Sequence, residues 1–233
     1  PLAPAVREAM VYAAQNETPG YSWAYDEYYD SVIHWMKQRH DWEVKREWIC
    51  PINGVVTAID TVIDTIGFEG CGVITMTPIY YPFYSSSKRN GCHTVECPLK
   101  NEHGRYSIDF DLFRQLAAQK ENGILILCSP HNPVGRVWTQ EELKEIAEIC
   151  LQNGVFVISD EIHFDLVMPG YHHTVFSKAA PEAAEQCAIC TAPSKSFNIA
   201  GLETSNLILQ NEEIRNKMES SRHGAPSFLG YRA

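Results

Sequence analysis

With 233 residues, 45% of them hydrophobic, the chain carries enough apolar surface for a sizeable core in one large domain or two small ones. A net charge of −10 argues against nucleic acid or an anionic membrane surface as the main partner. No apolar run approaches the roughly 18 to 20 residues that span a bilayer, and the opening Pro1-Leu2-Ala3-Pro4 lacks the basic segment of a signal peptide. Eight cysteines are scattered, mostly inside apolar runs, so they are expected to be buried, reduced thiols in a cytoplasmic protein. Cys187 and Cys190 form a lone C-x-x-C. It reads either as a redox or zinc pair or as two core thiols on opposite faces of a strand; without a second pair the core reading is preferred and no metal is expected.

In chain order, Pro4 to Ala14 is expected to be a short amphipathic helix, stopped by Asn16-Glu17-Thr18-Pro19-Gly20. A loop through Tyr21 leads to a longer helix from Ala24 to His40, with Tyr25, Tyr28, Val32, Trp35 and Met36 at helical spacing. Pro51-Ile52-Asn53-Gly54 reads as a turn. From Val55 to Ile66, apolar positions 55, 59, 62, 63 and 66 define one buried helical face, which Gly67 can end. A glycine before a helix leaves bare backbone N–H groups that suit an anion, although an ordinary loop-to-helix turn looks the same.

Gly72 to Thr77 is expected to be a buried strand and Pro78 to Tyr84 an aromatic loop. His93 to Cys97 is a second strand, and Asp109 caps a helix reaching Lys120. The apolar strand Ile124 to Cys128 is broken by Ser129-Pro130-His131-Asn132-Pro133-Val134-Gly135. Thr139-Gln140-Glu141-Glu142 is a capping box that opens a helix closed by Gly154. Val155 to Ser159 is a strand running into Asp160-Glu161-Ile162-His163. Gln186 to Thr191 and Leu202 to Leu209 are further strands, and Glu212 to Arg222 is a charged helix.

Short apolar strands alternating with helices predict an α/β fold: a mostly parallel sheet covered on both faces. Ligands of such sheets bind beyond the carboxyl ends of the strands. Tyr80, Tyr81, Asn132, Asp160, His163, Ser194 and Lys195 all fall there. Lys195 is the one lysine in the uncharged stretch from Thr191 to Leu202, behind an apolar run. It is therefore expected to be desolvated with a lowered pKa, as imine chemistry requires.

Each of these residues has a plain reading on its own. Asp160 could cap a helix, Asn132 could serve a turn, Tyr80 could be core, His163 could be a satisfied loop histidine and Ser194 could be a cap. Together they match what pyridoxal 5′-phosphate (PLP) needs: an amine for its aldehyde, an acid for its pyridinium nitrogen, a donor to its 3′-oxygen, a ring on its face and a phosphate cradle. No strand is followed by G-x-G-x-x-G, so a nicotinamide dehydrogenase is not expected.

The segments Pro130–Gly135, Ser159–His163 and Ser194–Leu202 resemble the fold-type I, class I/II aminotransferases, and within them the MalY/PatB-like cystathionine β-lyases (C–S lyases). Gly20-Tyr21, Gly54-Val55-Val56, Thr77–Phe83 and Arg136–Thr139 belong to the same pattern. The resemblance implies an aspartate aminotransferase-like large domain over residues 1–233. Residues 1–50 would form a helical lead-in, and the small-domain parts would be absent. It implies that Lys195 bonds the PLP aldehyde and acts as base, with Asp160 on the pyridinium nitrogen. Asn132 would contact the 3′-oxygen with His163 close by. Tyr80 would stack on the ring and Tyr81 lie beside the substrate. The backbone of Val55 and Val56, with Ser194, would hold the phosphate. Tyr21 would reach the phosphate of a neighbouring subunit, which implies a homodimer.

The implied activity is β-elimination from a small sulfur amino acid such as cystathionine, giving homocysteine, pyruvate and ammonia, a step of methionine biosynthesis. The alternatives are an aminotransferase on the same machinery and a regulatory protein that keeps the fold. Two departures stand out. Glu203 occupies the place where many aminotransferases have a phosphate-binding arginine, and the family pattern continues beyond Ala233 into a small domain carrying the arginine for the substrate carboxylate.

Overall fold

The computed structural model describes residues 2–17 and 24–221. Among them, β1 (Ile49–Asn53), β2 (Gly72–Thr75), β3 (His93–Glu96), β6 (Asn122–Cys128), β7 (Phe156–Asp160), β8 (Cys187–Thr191) and β9 (Thr204–Leu209) form one sheet. Its order is β1-β9-β8-β7-β6-β2-β3. The neighbours from β8 to β3 pair in parallel, while β9 runs antiparallel to both β8 and β1. A separate two-stranded hairpin joins β4 (Lys100–Glu102) to β5 (Arg105–Ser107). The expected mostly parallel α/β sheet is what the chain forms.

Alternation along the strands divides the core into two layers. Val73, Ile124, Ile126, Ile158, Ala188, Cys190 and Leu207 face α3 (Val55–Ile66), α4 (Pro82–Arg89) and α9 (Glu212–Ser221). Ile74, Leu125, Leu127, Val157, Cys187 and Ile189 face α2 (Asp26–His40), α5 (Phe110–Ala117), α6 (Gln140–Asn153) and α7 (Phe176–Ala179). Cys187 and Cys190 thus lie on opposite faces of one strand, as two core thiols, and all eight cysteines are buried and free. Helix α1 (Pro4–Asn16) precedes these elements. No helix among the described residues is long and apolar enough to cross a membrane.

Three departures from the sequence expectations stand out in the elements; in addition, the helix that Asp109 caps ends at Ala117 rather than Lys120. Pro51 sits inside β1 rather than in a turn. This strand lies at the sheet edge, where a residue without an N–H is tolerated. The aromatic loop ends at Tyr81, because Pro82 opens α4 with a φ already suited to the first helical turn. The β4–β5 hairpin has no counterpart among the expected elements. His103 (φ 55°) and Gly104 (φ 88°) form its turn, both in the left-handed region that a tight hairpin needs.

The Thr139 capping box is formed. Its hydroxyl accepts the Glu142 amide at 3.2 Å, and Glu142 Oε2 accepts the Thr139 amide at 2.7 Å. Thr139→Ala removes one of these caps and is expected to cost about 1 kcal/mol, read as a lowered urea midpoint without loss of activity.

Candidate functional site

Strands β2, β6, β7 and β8 end at the same edge of the sheet. Cys128, Asp160 and Cys190 stand side by side on the last rung of the three central strands. The ladder continues one step past it: the Ser129 amide donates to Asp160 O (2.9 Å) and the Glu161 amide to Cys190 O (2.8 Å). Asp160 is therefore fixed at the mouth of the sheet. Its side chain is buried, and Oδ1 accepts the Ile162 amide at 3.1 Å.

Burial pushes the Asp160 carboxyl up to about 7; the Ile162 hydrogen bond and the positive charge of Lys195 work against that rise. Between about pH 4 and 7 the folded carboxyl keeps a proton that the unfolded chain has released, so its contribution to stability falls as pH rises through that window and is lowest above it. Asp41, Asp109, Glu141 and Asp165 are shifted down and slope the opposite way. The Asp160 effect is thus a difference between proteins. In cofactor-free protein, Asp160→Asn is expected to gain stability relative to the parent from pH 4 to pH 7, measured as paired thermal midpoints across pH.

The loop after β6 is braced on several sides. The Asn132 amide points to Cys128 Sγ (3.3 Å), the Gly135 amide donates to His131 O (2.8 Å) and Trp138 Nε1 donates to Cys128 O (2.9 Å). His131 is buried, and burial lowers its pKa. Its Nε2 donates to Pro78 O at 2.9 Å, tying this loop to the one that carries Tyr80. The Tyr80 ring packs edge-on to buried Phe83 (5.8 Å) and tilted to Tyr81 (5.5 Å); both tyrosines remain exposed. Asn132 is half-buried. With His163, Arg105, Tyr106 and Tyr171 it lines a cleft of about 880 Å³.

Lys195 sits on α8 (Pro193–Ser196), a short helix that starts just past β8. It is exposed, which corrects the expectation of a desolvated lysine. The apolar run ends with the strand at Thr191, and the chain emerges at the open edge before it reaches position 195. The charge of Lys195 nonetheless acts on both Asp160 and His163. Burial first, and then Lys195, hold the His163 imidazole below its usual pKa. These three side chains share one electrostatic environment.

Gly54 opens α3 at φ 84°, a conformation that disfavours any residue with a Cβ. Its amide donates to Glu203 O at 2.8 Å, and the first intrahelical bond runs from Ala58 to Gly54 O. The first-turn amides of Val55 and Val56 therefore lack intrahelical partners, which suits an anion. Val55 is buried and Val56 half-buried; Ser194 is buried at the start of α8. Tyr21 lies outside the described residues.

Two buried carboxylates near the site were given no role in the sequence reading. Glu161 Oε1 accepts the Ser159 hydroxyl (2.8 Å) and the Phe176 amide (2.9 Å), while Oε2 meets His173 Nε2 (2.8 Å). Asp165 accepts Trp35 Nε1 (3.1 Å), His40 Nε2 (3.0 Å) and the Ser196 hydroxyl. Both lie just past Asp160 in one acidic stretch, which is the local cue. Their partners, distant in sequence, are not legible there.

The aminotransferase class I and II family profile matches residues 2–228. Over 217 residues the chain is 38% identical to cystathionine beta-lyase PatB of Bacillus subtilis, covering 93% of this chain and 56% of PatB. It is 32% identical to protein MalY of Escherichia coli, covering 99% and 60%. The structure superposes with a TM-score of 0.95 on cystalysin from Treponema denticola, a PLP-containing protein 41% identical to this chain, covering 99% and 60%. The chain thus spans about 60% of the length of the relatives it matches. It belongs to the class I and II aminotransferase family.

Proposed function

We propose that residues 1–233 are the PLP-binding large domain of a C–S β-lyase, with the segment before β1, which carries α1 and α2, as its lead-in; Ile49 and Cys50, expected to belong to a helical lead-in, are the first residues of β1. The observation that carries the reading is Asp160: a buried carboxyl at the mouth of the sheet, pushed to about 7 by desolvation and within the field of Lys195. A protonated pyridine nitrogen against it would restore its charged form. The remaining donor set fits the same group. Asn132 suits the 3′-oxygen with His163 beside it, and Tyr80 suits the ring face. The Val55 and Val56 amides with Ser194 suit the phosphate. Lys195 is free to bond the aldehyde.

Bound PLP supplies an electron sink for the pair left when a substrate Cα–H bond breaks. The chain supplies the rest. The Lys195 amine would take the Cα proton, the Asp160 carboxylate would accept from the protonated ring nitrogen, and Tyr81 would lie beside the substrate at the exposed rim. The bond from Cβ to sulfur then breaks and the thiol leaves. With cystathionine and one water the products are homocysteine, pyruvate and ammonia. The names of cystathionine beta-lyase PatB and of the Corynebacterium glutamicum cystathionine beta-lyase support a small sulfur amino acid as substrate. Tyr21 is proposed to reach the phosphate of a second subunit in a homodimer. The eight free buried thiols fit a reducing, cytoplasmic setting.

The test is product analysis on the full-length protein with cystathionine. Thiol and pyruvate in equal amounts, independent of added 2-oxo acid, are expected. Amino transfer that requires a 2-oxo acid, without thiol release, would assign an aminotransferase instead.

A further inference from the structure

Lys195 rides on a helix of four residues. So short a helix does not hold itself in place, because nucleation alone is unfavourable. Two backbone bonds brace its end, from the Phe197 amide to Pro193 O (2.9 Å) and from the Ile199 amide to Ser194 O (3.0 Å). It follows directly on β8 with Ser194 buried, and the residue next to Lys195 adds a side-chain tie: the Ser196 hydroxyl donates to Asp165 Oδ2.

Asp165 is itself clamped. Its side chain is 6% exposed, and Oδ1 accepts His40 Nε2 at 3.0 Å. Trp35 Nε1 lies 3.3 and 3.1 Å from the two oxygens. Burial pushes the carboxyl up, but the bonds from His40, Ser196 and Trp35 outweigh it, so it stays charged. Its donors are anchored in turn. The His40 ring stacks on Phe164 at 4.2 Å, Lys178 Nζ donates to His40 O at 3.1 Å, and Trp35 packs against Phe197 at 5.3 Å. The carboxylate thus joins three elements: helix α2, the turn after β7 and the helix carrying Lys195.

Building on the proposed PLP chemistry, we infer that Asp165 is a positioning residue for Lys195. Acting through the Ser196 hydroxyl and held by His40 and Trp35, it fixes α8 so that the lysine amine meets the cofactor aldehyde and the substrate Cα–H. It touches neither group itself. A displacement of about 1 Å at a reacting amine can cost about a hundredfold in rate, so losing the tie is expected to act on rate rather than on substrate affinity.

The experiment compares the full-length parent with Ser196→Ala, Ser196→Thr and Asp165→Asn. Cofactor-free protein is mixed with PLP, quenched at intervals with borohydride, and the pyridoxyl label on Lys195 is followed by mass spectrometry. kcat and KM for thiol release and the urea midpoint are measured alongside. Ser196→Ala and Asp165→Asn are expected to slow labelling and lower kcat by about tenfold to a hundredfold, with KM little changed. Ser196→Thr, which keeps the hydroxyl, recovers both. Labelling and kcat at parent values in Ser196→Ala, or changes confined to the urea midpoint, overturn the inference. A parent protein that never labels at Lys195 overturns the cofactor assignment instead, so the two failures are distinct.

Discussion

Lys195→Ala in the full-length protein is expected to lose the borohydride-fixable pyridoxyl label and to release thiol from cystathionine at least about a hundredfold to ten-thousandfold more slowly, the range for a positioned proton-transfer group. Exposure makes this a clean test. Lys195 lies at the open edge of the sheet on a short helix, outside the packed core. Removing it should therefore change stability by no more than about 0.5 kcal/mol, so lost activity cannot be charged to unfolding. The substitution also has an electrostatic consequence. Lys195 is a cation that restrains the rise of the Asp160 pKa. Without it the carboxyl should move further up, and the fall in stability with pH should extend to higher pH in Lys195→Ala than in the parent. Thermal midpoints of cofactor-free protein across pH would show this. Thiol release at the parent rate in Lys195→Ala would sink the assignment of Lys195 as base.

What the sequence disclosed of this site depended on whether the relevant cue was local. The α3 face, the Thr139 box and the apolar β6 and β7 are set by spacing and by residues next to one another, and they form where expected. That Asp160, Asn132 and Lys195 would fall at one edge was legible because parallel strands bring the residues at their carboxyl ends together. The exposure of Lys195 was hidden for the same reason: an apolar run describes the strand, not the segment that leaves it. Pro51 masked β1, since a proline argues against a strand until its edge position is known. The pairings of Asp165 with His40, and of Glu161 with His173, span 125 and 12 residues. Such pairings depend on how the chain folds back on itself, and no periodicity encodes them.

Glu161 should be the more severe loss for the fold. It is fully buried one residue past Asp160, and its two oxygens accept from three elements: the Ser159 hydroxyl on β7, the Phe176 amide at the start of α7, and His173 in the loop between them. Glu161→Ala would leave the His173 donor, the Ser159 hydroxyl and the Phe176 amide without their acceptor in the buried interior. Removing one partner of such a buried set costs about 3–5 kcal/mol, a large part of the roughly 5–15 kcal/mol that holds a typical domain folded. Glu161→Gln keeps the shape and one carbonyl acceptor but turns an amide N–H₂ toward groups that themselves donate. Its urea midpoint should therefore fall between those of the parent and Glu161→Ala. The same ordering should appear in how tightly the chain between residues 161 and 176 is held, read as amide hydrogen exchange. If Glu161→Ala unfolds at the parent midpoint, this carboxylate is not what anchors the exit from β7. The rigidity of the Asp160 rung would then have to come from the sheet ladder alone.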